Sequence, residues 1–111
     1  MPKAILAVYA NPAAPEREDE FNNWYVETHI PEVLGLEGFV GARRYELSAA
    51  QLGGSSEHRY VTHYDIDVPD VQQALKSLTD GFRNGTVTMN DSMAPGPLVV
   101  WEERTSASPS A

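Results

Sequence analysis

The sequence predicts an α+β domain of the ferredoxin-like βαββαβ type, an antiparallel sheet with two helices on one face. Three observations predict it. Strand-like runs lie near both ends, an apolar one at residues 3–10 and one at 98–104 that is apolar over 98–101. Two segments have helical spacing, one over 16–29 and one opening after Asp67, and each follows a strand-like run. Between them lie two further strand-like runs, 39–47 and 57–67, joined by the Gly- and Ser-rich stretch 48–56. At 111 residues the chain makes one domain, expected over 1–104, with 105–111 a disordered tail by composition.

Asn11-Pro12-Ala13-Ala14-Pro15 ends the first strand with turn chemistry. Glu16, Glu18, Asp19 and Glu20 crowd the start of the first helix, where negative charge suits the positive end of the helix dipole. Pro31 cannot donate to the carbonyl of Glu27 and pushes Ile30 away from helical angles, so the helix is expected to stop there and be followed by a short turn from Pro31 to Leu36. Glu37-Gly38 then turns the chain into the second strand. Strict alternation sets Phe39, Gly41, Arg43, Tyr45 and Leu47 on one face of it and Val40, Ala42, Arg44 and Glu46 on the other.

The third strand separates Tyr60, Thr62, Tyr64 and Ile66 from Val61, His63 and Asp65. The second helix has Pro69 near its first position and a core-facing stripe of Val71, Ala74, Leu75, Leu78 and Phe82. Thr86 to Pro97 reads as an irregular loop carrying Met89 and Met93, of a length that suits a lid or a ligand wall. Two helices cover only one sheet face, yet the first and last strands are apolar on both. A second sheet is therefore expected over the other face, most simply that of a second copy related by two-fold symmetry.

The net charge of −8 repels phosphate backbones and anionic membrane surfaces, so neither nucleic acid nor membrane is expected as a partner. With no cysteine, disulfides, thiolate nucleophiles and sulfur-rich metal sites are excluded. The stretch Met1 to Tyr9 has one basic residue and too short an apolar run for a membrane span or signal peptide, which makes the cytoplasm the expected location. Ser92 lies in no nucleophile-elbow motif, and no glycine-rich phosphate loop is present.

Chemistry concentrates between Phe21 and Pro31. Phe21, Trp24 or Tyr25, Thr28 and His29 fall along neighbouring rows of one helix side, and no other segment joins so large an aromatic surface to a group that moves a proton near neutral pH. Rings at this spacing serve a core as readily as a ligand pocket, and a histidine can be structural, so both alternatives stand. Apolar neighbours on one side of His29 and the polar Glu27 and Thr28 on the other make a setting that shifts a pKa usefully. His29, His58 and His63 form no HxxxH pair, and His58 and His63, an odd number of positions apart on one strand, face opposite sides of the sheet, so no metal set is expected.

The aromatic helix Phe21 to His29, then His29-Ile30-Pro31, a hydrophobic run to Glu37-Gly38 and a strand with Ala42-Arg43-Arg44-Tyr45 resemble the EthD-like family of the dimeric α+β barrel superfamily. Related sequences show Pro-Gly where this chain has Glu37-Gly38, which leaves the glycine turn intact. The resemblance implies a homodimer and a cleft between helices and sheet. In that cleft Tyr60, Thr62 and Tyr64 would face His29 across a pocket walled by Phe21, Trp24 or Tyr25 and by the loop carrying Met89 and Met93. Arg43 or Arg44 would supply positive charge to a phenolate, enolate or carboxylate, or else pair at the surface with Glu46 or Glu57. Asp65, opposite in face to Tyr64, would lie at the dimer interface. Haem, which related barrels hold through a histidine, is not expected.

The resulting reading is a homodimeric small-molecule enzyme that uses no organic cofactor. It performs proton transfer of lyase, cyclase or isomerase type on an apolar aromatic or polyketide-like compound. His29 is its general base or acid, Tyr64 holds a developing oxyanion, and the Trp24 and Tyr25 rings position the substrate. Two alternatives accompany it: a cofactor-independent oxygenase, and a non-catalytic ligand-binding or accessory protein, which needs the rings but not the histidine.

Overall fold

The computed structural model describes residues 3–110. Four strands, β1 (Lys3–Pro12), β2 (Phe39–Glu46), β3 (Tyr60–Asp67) and β4 (Met93–Glu102), form one antiparallel sheet in the order β2-β3-β1-β4. This is the expected ferredoxin-like arrangement, with β1 and β3 inside and β2 and β4 as edges. The register sets Leu6 opposite Tyr64 and Val8 opposite Thr62, so the inward alternation expected for β3 holds. Tyr60, Thr62, Tyr64 and Ile66 are all buried. Both helical segments pack on this face, where Val33, Ala74 and Leu78 join Leu6, Phe39 and Ile66 in the main core.

The helix stop expected at Pro31 is not found. A helical arm runs through α1 (Glu18–Trp24), a wide π-type turn over Tyr25–His29 and α2 (Ile30–Leu34), with helical backbone angles at each junction. The Ile30 amide donates to the Tyr25 carbonyl, five residues back. Proline in a regular helix collides with the carbonyl four residues before it, and a wider turn at that point relieves the collision. The turn also aligns side chains. Residues spaced by four drift by about 40° per step around an ordinary helix. The wide turn offsets that drift, so Phe21, Tyr25, His29 and Val33 all stay buried against the sheet.

The strict alternation expected in β2 fails at its start. Phe39 pairs with Ile66 and Gly41 with Asp65, so two residues of β2 span one step of β3. This bulge puts Phe39 on the core face with Ala42 and Arg44, and Arg43 on the other. Just before it, Gly38 has φ 97° and lies so close to Val68 and Ala74 that a side chain would collide with them.

Helix α3 (Val71–Asn84) begins two residues later than expected, because Asp70 caps it by accepting from the Gln72 amide at 3.0 Å. Gly85, at φ 81°, ends it. The loop expected over Thr86 to Pro97 is shorter than read. Met93 to Pro97 belong to β4, with Pro95 opposite Ala10, and an edge strand tolerates prolines because their missing amides face no partner. The expected disordered tail, 105–111, carries no regular secondary structure over its described residues, 105–110.

The other sheet face is uncovered in the single chain. Val40 is 64% and Trp101 58% exposed, and Arg43 forms a two-pronged pair with Asp65 at 2.9 and 2.8 Å. Val40, Arg43, Asp65 and Trp101 line a groove of about 490 Å³ on that side. Among the described residues no helix is long and apolar enough to cross a membrane.

Candidate functional site

His29 sits in the wide turn with 4% of its surface exposed. Its ring lies 4.8 Å from that of Trp24, at 31° between planes, and 5.0 Å from that of Tyr25, edge to face. Burial among these rings lowers its pKa below the usual 6.5, with the Thr88 main chain and the Glu32 carboxylate acting in the opposite direction. The imidazole is therefore neutral at pH 7, the form that accepts a proton. Its Nδ1 is buried and has no hydrogen-bond partner among the described residues.

Beside it lies a small apolar cavity of about 60 Å³ between helices and sheet. Leu6, Val8 and Tyr64 form its floor on the sheet, and Val33, Leu78 and Phe82 belong to its helical wall. Met89, Met93 and Leu98 close it from the loop and β4. Methionine adapts its shape at little cost, so this side of the cavity can widen for a ligand. The loop is fastened to the arm: the Glu32 carboxylate accepts from the Thr88 amide at 3.0 Å and from its hydroxyl at 2.9 Å. At its far end Arg17 donates to the Asp91 carboxylate at 2.7 Å.

Tyr64 also lines this cavity, and its hydroxyl too is buried without a partner among the described residues. Burial raises its pKa far above the ordinary phenol value, and it raises that of Tyr25 as well. Both phenols stay protonated and serve as donors, not as bases. The Tyr25 hydroxyl lies near enough to Thr62 and Tyr64 to influence ionisation, but no hydrogen bond of good geometry satisfies it.

Of the residues picked out by sequence, His29, Tyr64, Met89 and Met93 line this cavity, and Trp24 and Tyr25 pack on the imidazole. Phe21 is fully buried, edge-on to Tyr25 and Tyr60 in a second, aromatic core, and does not line the cavity. The Tyr60 hydroxyl turns outward, donating to Glu18 at 3.0 Å. Thr62 is buried on β3 opposite Arg44. Arg43 is on the far face, paired with Asp65, where neither the pocket role nor a pairing with Glu46 or Glu57 applies. The arginine on the helix side is Arg44. Its membership of the Ala42 face was legible from alternation; the rings around it were not, because they come from the helical arm and β3. Among the described residues no group of three or more His, Cys, Asp or Glu is placed to hold a metal ion.

Fold and site together define a small α+β protein of ferredoxin-like topology with an apolar pocket lined by one neutral imidazole and two tyrosines, Tyr9 and Tyr64. The chain belongs to the family described as a domain of unknown function, DUF4286, whose profile matches residues 9–80. Two crystal structures are similar. An ethyl tert-butyl ether D (EthD) family protein from Bacillus halodurans superposes with a TM-score of 0.56 at 20% identity, over 94% of this chain and 100% of the other. HapK from Hahella chejuensis superposes with a TM-score of 0.51 at 13% identity, over 100% of both chains. These likenesses establish the EthD-like fold for this chain. No curated protein matches its sequence.

Proposed function

We propose that this protein is a cytoplasmic small-molecule enzyme that moves a proton on an apolar aromatic or polyketide-like compound, in a reaction of lyase, cyclase or isomerase type. One observation carries the reading: His29 and Tyr64 line the same apolar cavity, and each brings a buried polar atom, Nδ1 and the hydroxyl, that has no partner among the described residues. Orphaned polar groups are costly in a folded chain and concentrate where a ligand completes them.

In the proposed step His29 Nδ1 takes a proton from a carbon next to a carbonyl. The electron pair of the broken C–H bond moves onto the carbonyl oxygen, and the Tyr64 hydroxyl donates a hydrogen bond to that oxygen as charge develops. The imidazolium then returns the proton to a different carbon, which isomerises the substrate, or the enolate expels a leaving group or attacks a second carbonyl. Trp24 and Tyr25 keep water from the imidazole throughout.

The second reading is a non-catalytic binder, favoured by the otherwise apolar lining and small volume of the cavity. Native mass spectrometry of the purified protein for a retained ligand, followed by turnover and binding of that compound by His29→Ala, separates the two. The enzyme reading requires that turnover fall while binding persists. Retained turnover in the variant contradicts it.

A further inference from the structure

Four buried donors meet near the junction of β2 and the helical arm, and none has a hydrogen-bond partner of good geometry among the described residues: Nε and Nη2 of Arg44 and the hydroxyls of Tyr25 and Tyr64. The Arg44 guanidinium carbon lies 4.4 Å from the centre of the Tyr60 ring, 4.6 Å from that of Tyr25 and 5.0 Å from that of Phe21. Ring faces attract the cation and hold it in place, but they leave its N–H groups without acceptors. Arg17, Arg43 and Arg59 each pair with a carboxylate, whereas Arg44 has no such pair among the described residues. Glu46, the carboxylate that acts on Arg44 from two positions along β2, is already engaged by Arg59. Desolvation accordingly depresses the pKa of the Arg44 side chain, with the neighbouring Tyr25, Tyr60, Tyr64 and Glu46 opposing it.

This donor cluster adjoins the His29 cavity through two residues. Tyr64 lines the cavity and supplies one of the four donors. The Tyr25 ring touches Arg44 and His29 alike. We infer that Arg44 is the anion-recognising residue of the site: its Nε and Nη2, with the Tyr25 hydroxyl, take the carboxylate of an aromatic acid whose apolar ring fills the cavity beside His29, which leaves the Tyr64 hydroxyl for the developing oxyanion. Rearrangement of the methionine wall admits the ring. The inference rests on the proposed function for the role of His29 and adds to it the charge of the substrate.

The test is an NMR titration of the full chain with benzoate and with its neutral counterpart benzamide, read at the indole N–H of Trp24. Trp101, on the opposite sheet face, serves as an internal control. A charge-assisted hydrogen bond predicts that benzoate binds roughly ten- to a hundredfold more tightly than benzamide. Arg44→Leu brings that ratio close to one by weakening benzoate alone. Arg44→Lys keeps part of it, and supplies the answer if the leucine variant fails to fold. His29→Gln leaves the ratio unchanged, so loss of proton transfer and loss of anion preference are read separately. Equal affinities in the wild type, no Trp24 response to either compound, or a ratio that survives both Arg44 substitutions overturns the inference.

Discussion

The indole of Trp24 and the imidazole of His29 stack with their centres 4.8 Å apart, although the two residues are five positions apart and the helix between them contains no break. In a regular helix that spacing turns the second ring well away from the first; the wide turn over Tyr25–His29 brings them together. The stack withholds water from the imidazole and leaves Nδ1 without a partner. Trp24→Ala therefore rehydrates the ring, and its pKa should rise toward 6.5, measured by NMR titration of the His29 ring protons. An unchanged titration would show that Trp24 does not set the environment of His29.

The same burial links His29 to stability. The unfolded imidazole titrates near the usual 6.5 and the folded one lower, so between the two values the unfolded chain binds more protons. Stability from this group is thus full above 6.5 and falls as pH drops through 6.5 toward the folded value. Denaturation midpoints at pH 7.5 and pH 5 should fall further for the wild type than for His29→Gln. Equal falls would mean that His29 is not held neutral.

Tyr64→Phe separates function from stability. Removing one donor to a developing oxyanion costs roughly 10² to 10³ in turnover. The hydroxyl it removes is buried without a partner among the described residues, so the variant should be as stable as the wild type or more stable by about 1 kcal/mol. A variant that loses stability and keeps turnover would assign Tyr64 to the core alone.

The loop between α3 and β4 hangs on Glu32, whose carboxylate takes both the amide and the hydroxyl of Thr88. Glu32→Ala should accelerate hydrogen exchange at the Thr88 amide about tenfold or more, given the strength of hydrogen bonds to charged groups. Ligand binding to the wild type should slow exchange over residues 86–92, the part of the expected mobile wall that lies outside β4. Unaltered exchange in a saturated complex would count against a moving wall.

The open sheet face predicts self-association. Val40 and Trp101 present there the apolar surface that a second copy would cover. Light scattering at micromolar concentration should give about twice 12.2 kDa, and Trp101→Glu should shift it toward the single-chain mass. A wild type that stays at the single-chain mass would remove the dimer from the account.

Period-two and helical spacing made most of the fold legible. Tyr60, Thr62, Tyr64 and Ile66 face inward as alternation requires because β3 is interior and free of bulges. Alternation misled in β2, where the bulge between Phe39 and Gly41 depends on pairing with β3, a partner that no local pattern reveals. Pro31 reads as a breaker and the stretch Thr86 to Pro97, which holds Pro95, as a loop, yet each proline is accommodated by its surroundings, one by the wide turn and the other by an edge position. The site was half legible: the imidazole and Tyr64 announce themselves by residue type, whereas the difference between Arg43 and Arg44 is one of face, and the orphaned state of Arg44 arises only when three distant rings enclose it.

The central claim is that the His29 imidazole takes a proton from carbon in the cavity it shares with Tyr64. The most direct measurement is deuterium incorporation from D2O at the carbon between ring and carbonyl of phenylacetone, followed by proton NMR with wild type and His29→Gln. The account predicts acceleration by the wild type, an acid limb below pH 6.5, and a loss of roughly 10² to 10⁴-fold in His29→Gln with the fold intact. Exchange at the wild-type rate in His29→Gln, or none above background in the wild type, would contradict it.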